Sequence, residues 1–465
     1  MSIFDFNEAK ITIPRILKLA LPVVGEMSLF MVIWLADTAM VGRYGGHTAV
    51  SAVGISSEIF FTFTNVFITM GLCIGITSLI SRLLGSGQSE KIENITNLGL
   101  KIAFFISIII TLFFFFFAKD ILSLNKAQGE VLRLGTTYFK ICSFIIFFNV
   151  MRNTLTSVFI GFQNTKVPLL TAGIINVVNI TFNYLLIFGK FGFPEFGVAG
   201  AAISTLLANI FGFFFILSQT KRLPFPVSYR FLFYKNNFSE LKELLKISLP
   251  ATLQEAAFRV GRLIAVSMVM ALGSVSFAAN QITLAIEGLS IMPGYGVAVA
   301  CNTLVGFSIG QNNIPKVKQY LFYSTIIAMV LMSIPGLFFY FTPTFFIELF
   351  LDPSQKASTP GLETVINLGA QCLKIAAFAQ ISTAIAMVLQ GGLKGSGDTK
   401  TPMFIVLFCN WCVRLPLITY FIYYKKSSLT FLWWIICLQW TLEAIIVIVV
   451  IYRRYFREKT SKISL

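Results

Sequence analysis

Charged residues are scarce in this sequence, and histidine occurs once, as His47. Only 12% of the 465 residues are charged, whereas 56% are hydrophobic and the mean hydropathy is +0.81. This balance excludes a soluble chain, whose surface must face water. A single histidine excludes a histidine-based metal site or catalytic triad. The surface of the protein is therefore expected to face lipid.

The sequence also lacks the motifs of a primary pump and of a redox enzyme. Its nearest approach to a phosphate-binding loop, GGLKGSGDTK at 391–400, has no Gly-Lys-Ser/Thr ending. Cys409 and Cys412 have CxxC spacing, but they lie inside an apolar run with no soluble fold around it. All seven cysteines lie in such runs and are predicted to be small buried side chains. We expect no enzymatic activity and no cofactor.

The basic residues that give the net charge of +16 are scattered over short loops. We interpret them as topology signals, not as a surface for nucleic acid. Residues 1–15 contain Asp5, Glu8 and Lys10 and have no apolar core, so we expect no signal peptide. The first apolar run then acts as the insertion signal.

Long apolar runs between polar breaks predict an all-α integral membrane protein with twelve transmembrane helices, since a span needs roughly 20 apolar residues. We place the spans near 16–42, 49–78, 97–118, 134–160, 167–189, 197–218, 244–272, 276–309, 318–342, 366–392, 402–424 and 429–452. Twelve spans put both termini on one side, and the loops on that side carry most of the loop lysine and arginine. Both termini are therefore predicted to be cytoplasmic in a multi-pass plasma (inner) membrane protein.

The two halves of the sequence resemble each other. KLALP from Lys18 aligns with KISLP from Lys246, and GFQNTKVP from Gly161 later aligns with GSGDTKTP from Gly395. Matches that recur in order predict two pseudo-symmetric six-helix lobes, a plan used by secondary transporters. The predicted organisation is an N-terminal lobe at 1–218, a basic cytoplasmic linker at 219–243, a C-terminal lobe at 244–452 and a basic cytoplasmic tail at 453–465.

Carboxylates inside the spans are the informative residues, because a charge at bilayer depth costs about 2.5–3.5 kcal/mol on insertion scales. Asp37 lies in span 1, and Glu26 lies about three turns earlier on the same face. Such a carboxylate can take a proton or hold Na⁺, and either cation can be exchanged against a cationic drug. The alternative is a structural ion pair, for instance with Arg152 or Arg414.

Span 5 presents a row of amides, because Asn176, Asn179 and Asn183 recur at helical spacing. Their carbonyl groups could orient a carboxylate or coordinate a cation. The alternative is hydrogen bonding between helices, which asparagine commonly supplies in membranes.

Further carboxylates are candidates for lining a substrate cavity together with Glu26. Glu58 and Glu287 occupy nearly matching places in spans 2 and 8, and Glu255 lies in span 7. For Glu255 the alternative is pairing along the helix with Arg259.

Two matched prolines lie near the starts of spans 1 and 7. Pro22 and Pro250 are aligned by the repeat, and each removes a backbone donor from its helix. Each is a candidate hinge or a static bend.

Several strings resemble one known family. These are LALPVVGE with DTAMVGR in span 1, FNYLLIFG with GVAGAAIST across spans 5 and 6, IEGLSIMPGYG in span 8, and the paired turns GFQNTKVP and GSGDTKTP. They are similar to the multidrug and toxic compound extrusion (MATE) transporters, particularly the prokaryotic DinF-like members, over essentially the whole chain. The resemblance implies alternating access and export of amphipathic, often cationic compounds in exchange for H⁺ or Na⁺.

The resemblance also implies a cation-coupling site. In the family the span 1 acid carries the coupling cation, and Asp37 matches it. Asn179 matches a span 5 amide, but Asn183 stands where many relatives have an acid. Thr205 matches a hydroxyl ligand, with Ser204 equally close in the alignment.

This sequence departs from the family pattern in its second half. Arg259 replaces an acid found in other relatives, and span 10 has no carboxylate between Asn367 and Gln390. The resemblance therefore assigns coupling to Asp37, with H⁺ preferred over Na⁺ because the Na⁺ ligand set lacks one acid. No other metal is expected.

The main alternative is a lipid-linked saccharide flippase of the same superfamily, whose cavity is often cationic. The membrane arginines Arg152, Arg259, Arg262 and Arg414 keep this alternative open. A channel or a sensor would not account as simply for the duplicated architecture. The expected partners are small organic molecules and the bilayer, with no nucleic acid and no obligatory protein partner.

Overall fold

The computed structural model describes residues 6–64, 70–124, 128–224, 231–233, 237–351 and 361–457. These ranges are almost entirely helical and contain no β-strand. The all-α prediction is confirmed.

In the first half of the chain, the described residues form seven α-helices. They are α1 (Phe6–Thr64), α2 (Met70–Gly85), α3 (Ser89–Phe116), α4 (Ala118–Leu124), α5 (Gly129–Gly161), α6 (Lys166–Phe188) and α7 (Val198–Gln219). Short 3₁₀ turns follow at Thr220–Arg222 and Phe231–Phe233.

In the second half, the described residues form eight α-helices, and π-helical turns follow three of them. They are α8 (Phe238–Met270), α9 (Ser274–Gly310), α10 (Ile314–Phe341), α11 (Pro343–Glu348), α12 (Leu362–Gly395), α13 (Lys400–Leu407), α14 (Leu415–Ile418) and α15 (Leu429–Ile451). The π-helical stretches are Phe408–Arg414, Thr419–Tyr424 and Tyr452–Phe456.

Within the described residues, ten helices are long and apolar enough to cross a membrane. The other two predicted spans correspond to helices outside that group. Span 2 is divided between the end of α1 and the shorter α2, and span 7 is α8, whose central turns carry Glu255, Arg259 and Arg262. The helices therefore agree with twelve spans.

A sharp turn separates spans 1 and 2 inside α1. Gly46 has φ 57° and ψ −148°, a conformation that side chains larger than hydrogen rarely adopt. Gly45, with φ −124° and ψ 15°, also departs from helical geometry. The Gly45-Gly46 pair reverses the chain between two spans.

Small residues let helices pack closely in the second half. A Cβ atom at Gly391 would lie 2.6 Å from the carbonyl oxygen of Ala298, and one at Gly395 would lie 2.1 Å from that of Asn302. Both pairs are four residues apart on α12 and α9, so two glycines on one face of α12 let its backbone approach the backbone of α9. This is the small-residue packing typical of membrane helices, where apolar burial alone does not drive association.

The chain divides into two compact units. Pro22–Thr252 forms the N-terminal unit, and Met1–Leu21 with Leu253–Leu465 forms the C-terminal unit. The boundaries thus lie inside spans 1 and 7, whereas the sequence placed the boundary between lobes in the basic linker.

Apolar burial explains these boundaries. Ile16 and Leu19 are buried in a core with Leu304 of the C-terminal unit. Leu244 and Ile247 are buried in a core of the N-terminal unit. Each half of the sequence therefore contributes the start of its first span to the core of the other half's unit.

Polar contacts hold these exchanged segments in place. In the C-terminal unit, the Lys316 ammonium contacts the Glu8 carboxylate at 2.6 Å. In the N-terminal unit, the Asn94 amide donates to the Glu240 carboxylate at 2.8 Å. In both contacts the carboxylate, Glu8 or Glu240, belongs to the first turn of its helix.

The turn between α12 and α13 is held by Asp398. Its carboxylate accepts hydrogen bonds from the Thr401 backbone at 3.0 Å, the Thr401 hydroxyl at 2.7 Å and Arg454 at 2.7 Å. Partial burial alone would raise the pKa of this carboxyl, but the Thr401 hydrogen bonds and the Arg454 charge outweigh burial and hold the pKa below its ordinary value. Asp398 therefore fastens the end of the last span to this turn.

We predict that Asp398→Asn lowers the free energy of unfolding by about 1 kcal/mol at neutral pH, because it removes a charged cap and an ion pair. Since the folded-state pKa is depressed, the Asp398 contribution is full above about pH 4 and is lost as the pH falls through the folded value. The test is the thermal unfolding midpoint in detergent across the acid range. Equal acid sensitivity of the variant and the wild type below about pH 4 would contradict this role.

Candidate functional site

Four of the predicted coupling residues form one hydrogen-bonded chain in the N-terminal unit. The Asn183 side-chain amide donates to the Asp37 carboxylate and, at 3.1 Å, to the side-chain oxygen Oδ1 of Asn179. The Asn179 amide in turn donates to the Thr205 hydroxyl at 3.1 Å. We call this set (Asp37, Asn183, Asn179 and Thr205) the Asp37 chain.

Three helices position the Asp37 chain. Asn179 and Asn183 lie one turn apart on α6, so their side chains share a face, and both are fully buried. Asp37 comes from α1 and Thr205 from α7, and both are partly buried. The two fully buried amides thus lie between two partly buried groups, the Asp37 carboxylate and the Thr205 hydroxyl.

The Asp37 chain offers oxygen ligands to a cation. Besides the carboxylate, it contains the Thr205 hydroxyl and two amide oxygens, and the buried Asn183 Oδ1 has no hydrogen-bond partner among the described residues. Oxygen donors of this kind suit a hard cation, and a lone carboxylate suits a proton. The described residues contain no cluster of three or more His, Cys, Asp or Glu side chains that could hold a metal ion.

Two neighbouring polar residues lie outside the chain. The Asn176 amide donates to the Ala172 carbonyl oxygen of its own helix at 2.9 Å. Ser204 likewise donates to the Gly200 carbonyl oxygen at 2.7 Å. Of the two hydroxyls that the sequence left open, Thr205 is the one that contacts Asn179.

Glu26 has a different environment from Asp37, although both lie on α1. It is buried, and the nearest opposite charge acting on it is Arg152 of α5. Arg152 is 1% exposed, and its guanidinium lies 5.3 Å from the ring centroid of Phe30. Arg152 is therefore the counter-charge of Glu26 and not of Asp37.

The remaining predicted cavity carboxylates lie apart from the Asp37 chain. Glu287 of α9 is buried near Arg262 and Arg414, and Glu255 of α8 is near Lys394. The side chain of Glu58 lies outside the described residues.

The structure also reveals a buried carboxylate that the sequence interpretation missed. Glu443 of α15 is 1% exposed and accepts hydrogen bonds from Gln439 at 2.6 Å, Gln390 at 3.0 Å and Asn410 at 3.5 Å. Arg414 and Lys394 are its charged neighbours. Glu443 is the sole acidic or basic side chain (Asp, Glu, His, Lys or Arg) between Leu429 and Ile451, and this isolation in an apolar span is the signal that would have found it.

Asp37 differs from the other described carboxylates in having no cationic side chain near it. Among the membrane-embedded carboxylates whose side chains are described, Glu26, Glu255, Glu287 and Glu443 each lie near a lysine or an arginine. Asp37 is surrounded by the neutral Asn183, Asn179 and Thr205. Its negative charge is therefore the one without a fixed counter-charge in this set.

Comparison with protein families gives a match to the MatE family model over residues 22–185 and 250–419. Among curated proteins, the chain is 29% identical over 421 residues to the probable multidrug resistance protein NorM of Thermotoga maritima, covering 90% of this chain and 88% of that protein. It is also 24% identical to the uncharacterized transporter YisQ of Bacillus subtilis, covering 89% and 88%.

Solved structures agree in fold. A multidrug resistance MATE family transporter of the MOP superfamily, in an outward-facing conformation, has a TM-score of 0.86 at 21% identity, with 95% of each chain covered. A MOP superfamily transporter of Pyrococcus furiosus, described as having a binding pocket of reverse polarity, has a TM-score of 0.84 at 21% identity over the same share. With the family model matched on both halves, the chain belongs to the MatE family and is a multi-pass, all-α MATE transporter.

Proposed function

We propose that this protein is a secondary active multidrug efflux transporter that exchanges amphipathic or cationic organic compounds for H⁺ or Na⁺ by alternating access. The observation that carries the proposal is the Asp37 carboxylate, which has only neutral hydrogen-bond partners. The multidrug resistance names of curated relatives such as the Thermotoga maritima protein support the substrate class. We also propose the plasma membrane as its location, with both termini cytoplasmic.

In the proposed coupling step, the ionised Asp37 carboxylate is energetically unfavourable unless a cation is bound to it. A carboxylate removed from water without a counter-charge loses several kcal/mol of solvation. A proton or Na⁺ from outside the cell removes that cost, and so does an organic cation from inside. Because the two cations compete for one negative charge, binding of one favours release of the other.

We prefer H⁺ as the coupling ion. A proton needs only the one carboxylate, and the Asn183 and Thr205 groups can hydrogen-bond either protonation state. Na⁺ needs several oxygen ligands, and Asn183 supplies an amide where a second acid would strengthen such a site. The Asp37 chain accordingly fits Na⁺ less well than H⁺.

The other carboxylates have a supporting role in this proposal. Glu26, Glu255 and Glu287 have cationic neighbours, which weakens their attraction for a cationic substrate. We assign them to charge interactions with these neighbours. Glu58 stays a candidate for the substrate cavity.

Pro22 and Pro250 are proposed as hinges for alternating access. Pro22 is the first residue of the N-terminal unit, and Pro250 lies close to its end at Thr252. A helix can bend where proline removes a backbone hydrogen bond. Both prolines thus lie where the chain passes from one unit to the other.

The arrangement of charges weakens the flippase alternative for three of the four membrane arginines. Arg152 lies near Glu26, while Arg262 and Arg414 lie near Glu287. A guanidinium whose charge is already matched attracts pyrophosphate less than a free one does.

We predict that Asp37→Asn reduces cation exchange to background while the protein still inserts and folds. The amide keeps the size of the side chain but cannot bind a proton or carry the charge that is exchanged. The assay is gradient-driven transport of a fluorescent organic cation in proteoliposomes, with the thermal unfolding midpoint as a control for folding. Full transport by a folded Asp37→Asn variant would remove Asp37 from the mechanism.

We predict that Asn179→Ala weakens the apparent affinity for the coupling ion by about tenfold, the effect of losing roughly 1.4 kcal/mol of hydrogen bonding. The matched control is Asn176→Ala, which removes a buried amide from the same helix but not from the Asp37 chain. That variant should keep wild-type affinity. Equal effects of the two substitutions would mean that α6 packing, and not the chain, sets the affinity.

We predict that Asn183→Asp gives the protein Na⁺-driven exchange. The substitution places a second carboxylate in contact with Asp37, and two adjacent acids bind a cation more tightly than one. The measurement compares transport under separate Na⁺ and pH gradients for the variant and the wild type. No Na⁺-driven transport by the folded variant would show that acid count does not decide the choice of ion.

A further inference from the structure

The three helices that carry the Asp37 chain meet again two helical turns beyond Asp37, through Tyr44 of α1. Tyr44 follows Asp37 on the same face of the helix, about 10 Å further along its axis. Its ring contacts the ring of Phe188, at the end of α6, in an edge-to-face arrangement with centroids 6.5 Å apart. The ring also lies on Gly197, the residue before α7. One side chain of α1 therefore contacts both of the other helices.

Gly197 lets the Tyr44 ring approach this closely. It has φ 56° and ψ −125°, a backbone conformation that favours glycine. A Cβ atom at Gly197 would lie 2.6 Å from Cζ and 2.7 Å from the hydroxyl oxygen of Tyr44. These distances are too short for real contacts, so the ring fills the space that the side chain of any other residue would need.

The turn under Tyr44 is held closely between α6 and α7. The Phe196 N–H donates to the Leu186 carbonyl oxygen at 2.9 Å. A Cβ atom at Gly200 would lie 2.6 Å from the Leu186 carbonyl carbon, so the two helices approach each other backbone to backbone. Tyr44 thus packs α1 against a closely packed part of the N-terminal unit.

Helices α1 and α6 contact each other at three levels, and the hydrogen bond to Asp37 is the middle one. At one end a Cβ atom at Gly25 would lie 3.0 Å from Leu169 Cδ1, and at the other end Tyr44 contacts Phe188. The residue offset between the two helices is nearly the same at all three levels, so the helices run parallel. Asp37 is nearer in sequence to Tyr44 than to Gly25.

Tyr44 is also the last residue of span 1 before the glycine turn that leads to span 2. Between Asp37 and Tyr44, Val41 is buried in an apolar cluster that includes Val198 of α7. Beyond Val41, Tyr44 supplies the contact with α6 and α7. Because helix ends fray, this contact holds the last turn of span 1 in place.

We propose that Tyr44 is a positioning residue for Asp37, and that its packing on Gly197 and Phe188 keeps the Asp37 carboxylate in contact with Asn183. The inference rests on the proposed coupling role of Asp37. A hydrogen bond weakens steeply when its geometry is lost, and a binding site must be held to within about 0.5 Å. Tyr44 therefore acts on the coupling site from two turns away, through the position of α1.

The Tyr44 hydroxyl gives a second possible basis for an effect of this residue. It lies near Glu195, which belongs to the same turn as Gly197. Tyr44→Phe separates the two, because it keeps the ring on Gly197 and removes the hydroxyl. The inference predicts that Tyr44→Phe transports like the wild type and that Tyr44→Ala does not.

The test is a double-mutant cycle between Tyr44 and Asn183, measured as gradient-driven transport of a fluorescent organic cation in proteoliposomes. Asn183→Ala should slow transport about tenfold in the wild-type and Tyr44→Phe backgrounds, since it removes a hydrogen bond to a charged group. In the Tyr44→Ala background that contact is already weakened, so Asn183→Ala should slow transport less than about twofold. A general loss of stability by Tyr44→Ala would leave the effect of Asn183→Ala unchanged.

The outcomes separate this inference from the proposed function. A full effect of Asn183→Ala in a folded Tyr44→Ala protein would overturn the inference and leave the coupling role of Asp37 as it was. No effect of Asn183→Ala in any background would overturn the coupling role of the Asp37 chain, and the inference with it. If Tyr44→Phe behaved like Tyr44→Ala, the hydroxyl would be the acting group, and the packing role would be overturned.

A second variant tests the same contact if Tyr44→Ala does not fold. Gly197→Ala places a methyl group where the ring lies, so it should also reduce the effect of Asn183→Ala. The matched control is Gly192→Ala, because Gly192 lies in the same turn with φ 85° but a Cβ atom there would meet nothing within 4 Å. A full effect of Asn183→Ala in folded Gly197→Ala protein, or an equal reduction by Gly192→Ala, would overturn the inference.

Discussion

The need to balance charge inside the bilayer governs the interior of this transporter. A carboxylate far from water requires a counter-charge, and four of the described carboxylates have one on a neighbouring helix. Asp37 has amides and a hydroxyl instead. In the proposed function, this difference makes Asp37 the acid that a mobile cation neutralises, because the other four have cationic side chains near them.

The backbone architecture makes that difference possible. Gly391 and Gly395, which have no side chain, let α12 pack closely against α9. The Gly45-Gly46 turn joins spans 1 and 2. Packing this tight leaves little room for water, so buried polar groups must find partners in the protein. Residues 1–21 belong to the C-terminal unit, and their helix continues into the N-terminal unit, where it carries Asp37.

Much of this could be predicted from the sequence, because span length, apolar runs and the internal repeat are local signals. The face shared by Asn179 and Asn183 follows from helical spacing alone. Their contact with Asp37 does not, since spacing cannot say which helices are neighbours. The partners of Glu26 and Glu287 were unpredictable for the same reason, and the π-helical register at Arg414 depends on packing against α15. Glu443 could have been predicted, because it is the sole acidic or basic side chain of an apolar span.

The most direct test of coupling through Asp37 is transport of ethidium in proteoliposomes under a pH gradient and, separately, under a Na⁺ gradient. The account predicts ethidium flux driven by the pH gradient, with protons moving in the opposite direction, and much weaker flux under the Na⁺ gradient. No flux under either gradient would contradict cation-coupled export and would favour the flippase alternative.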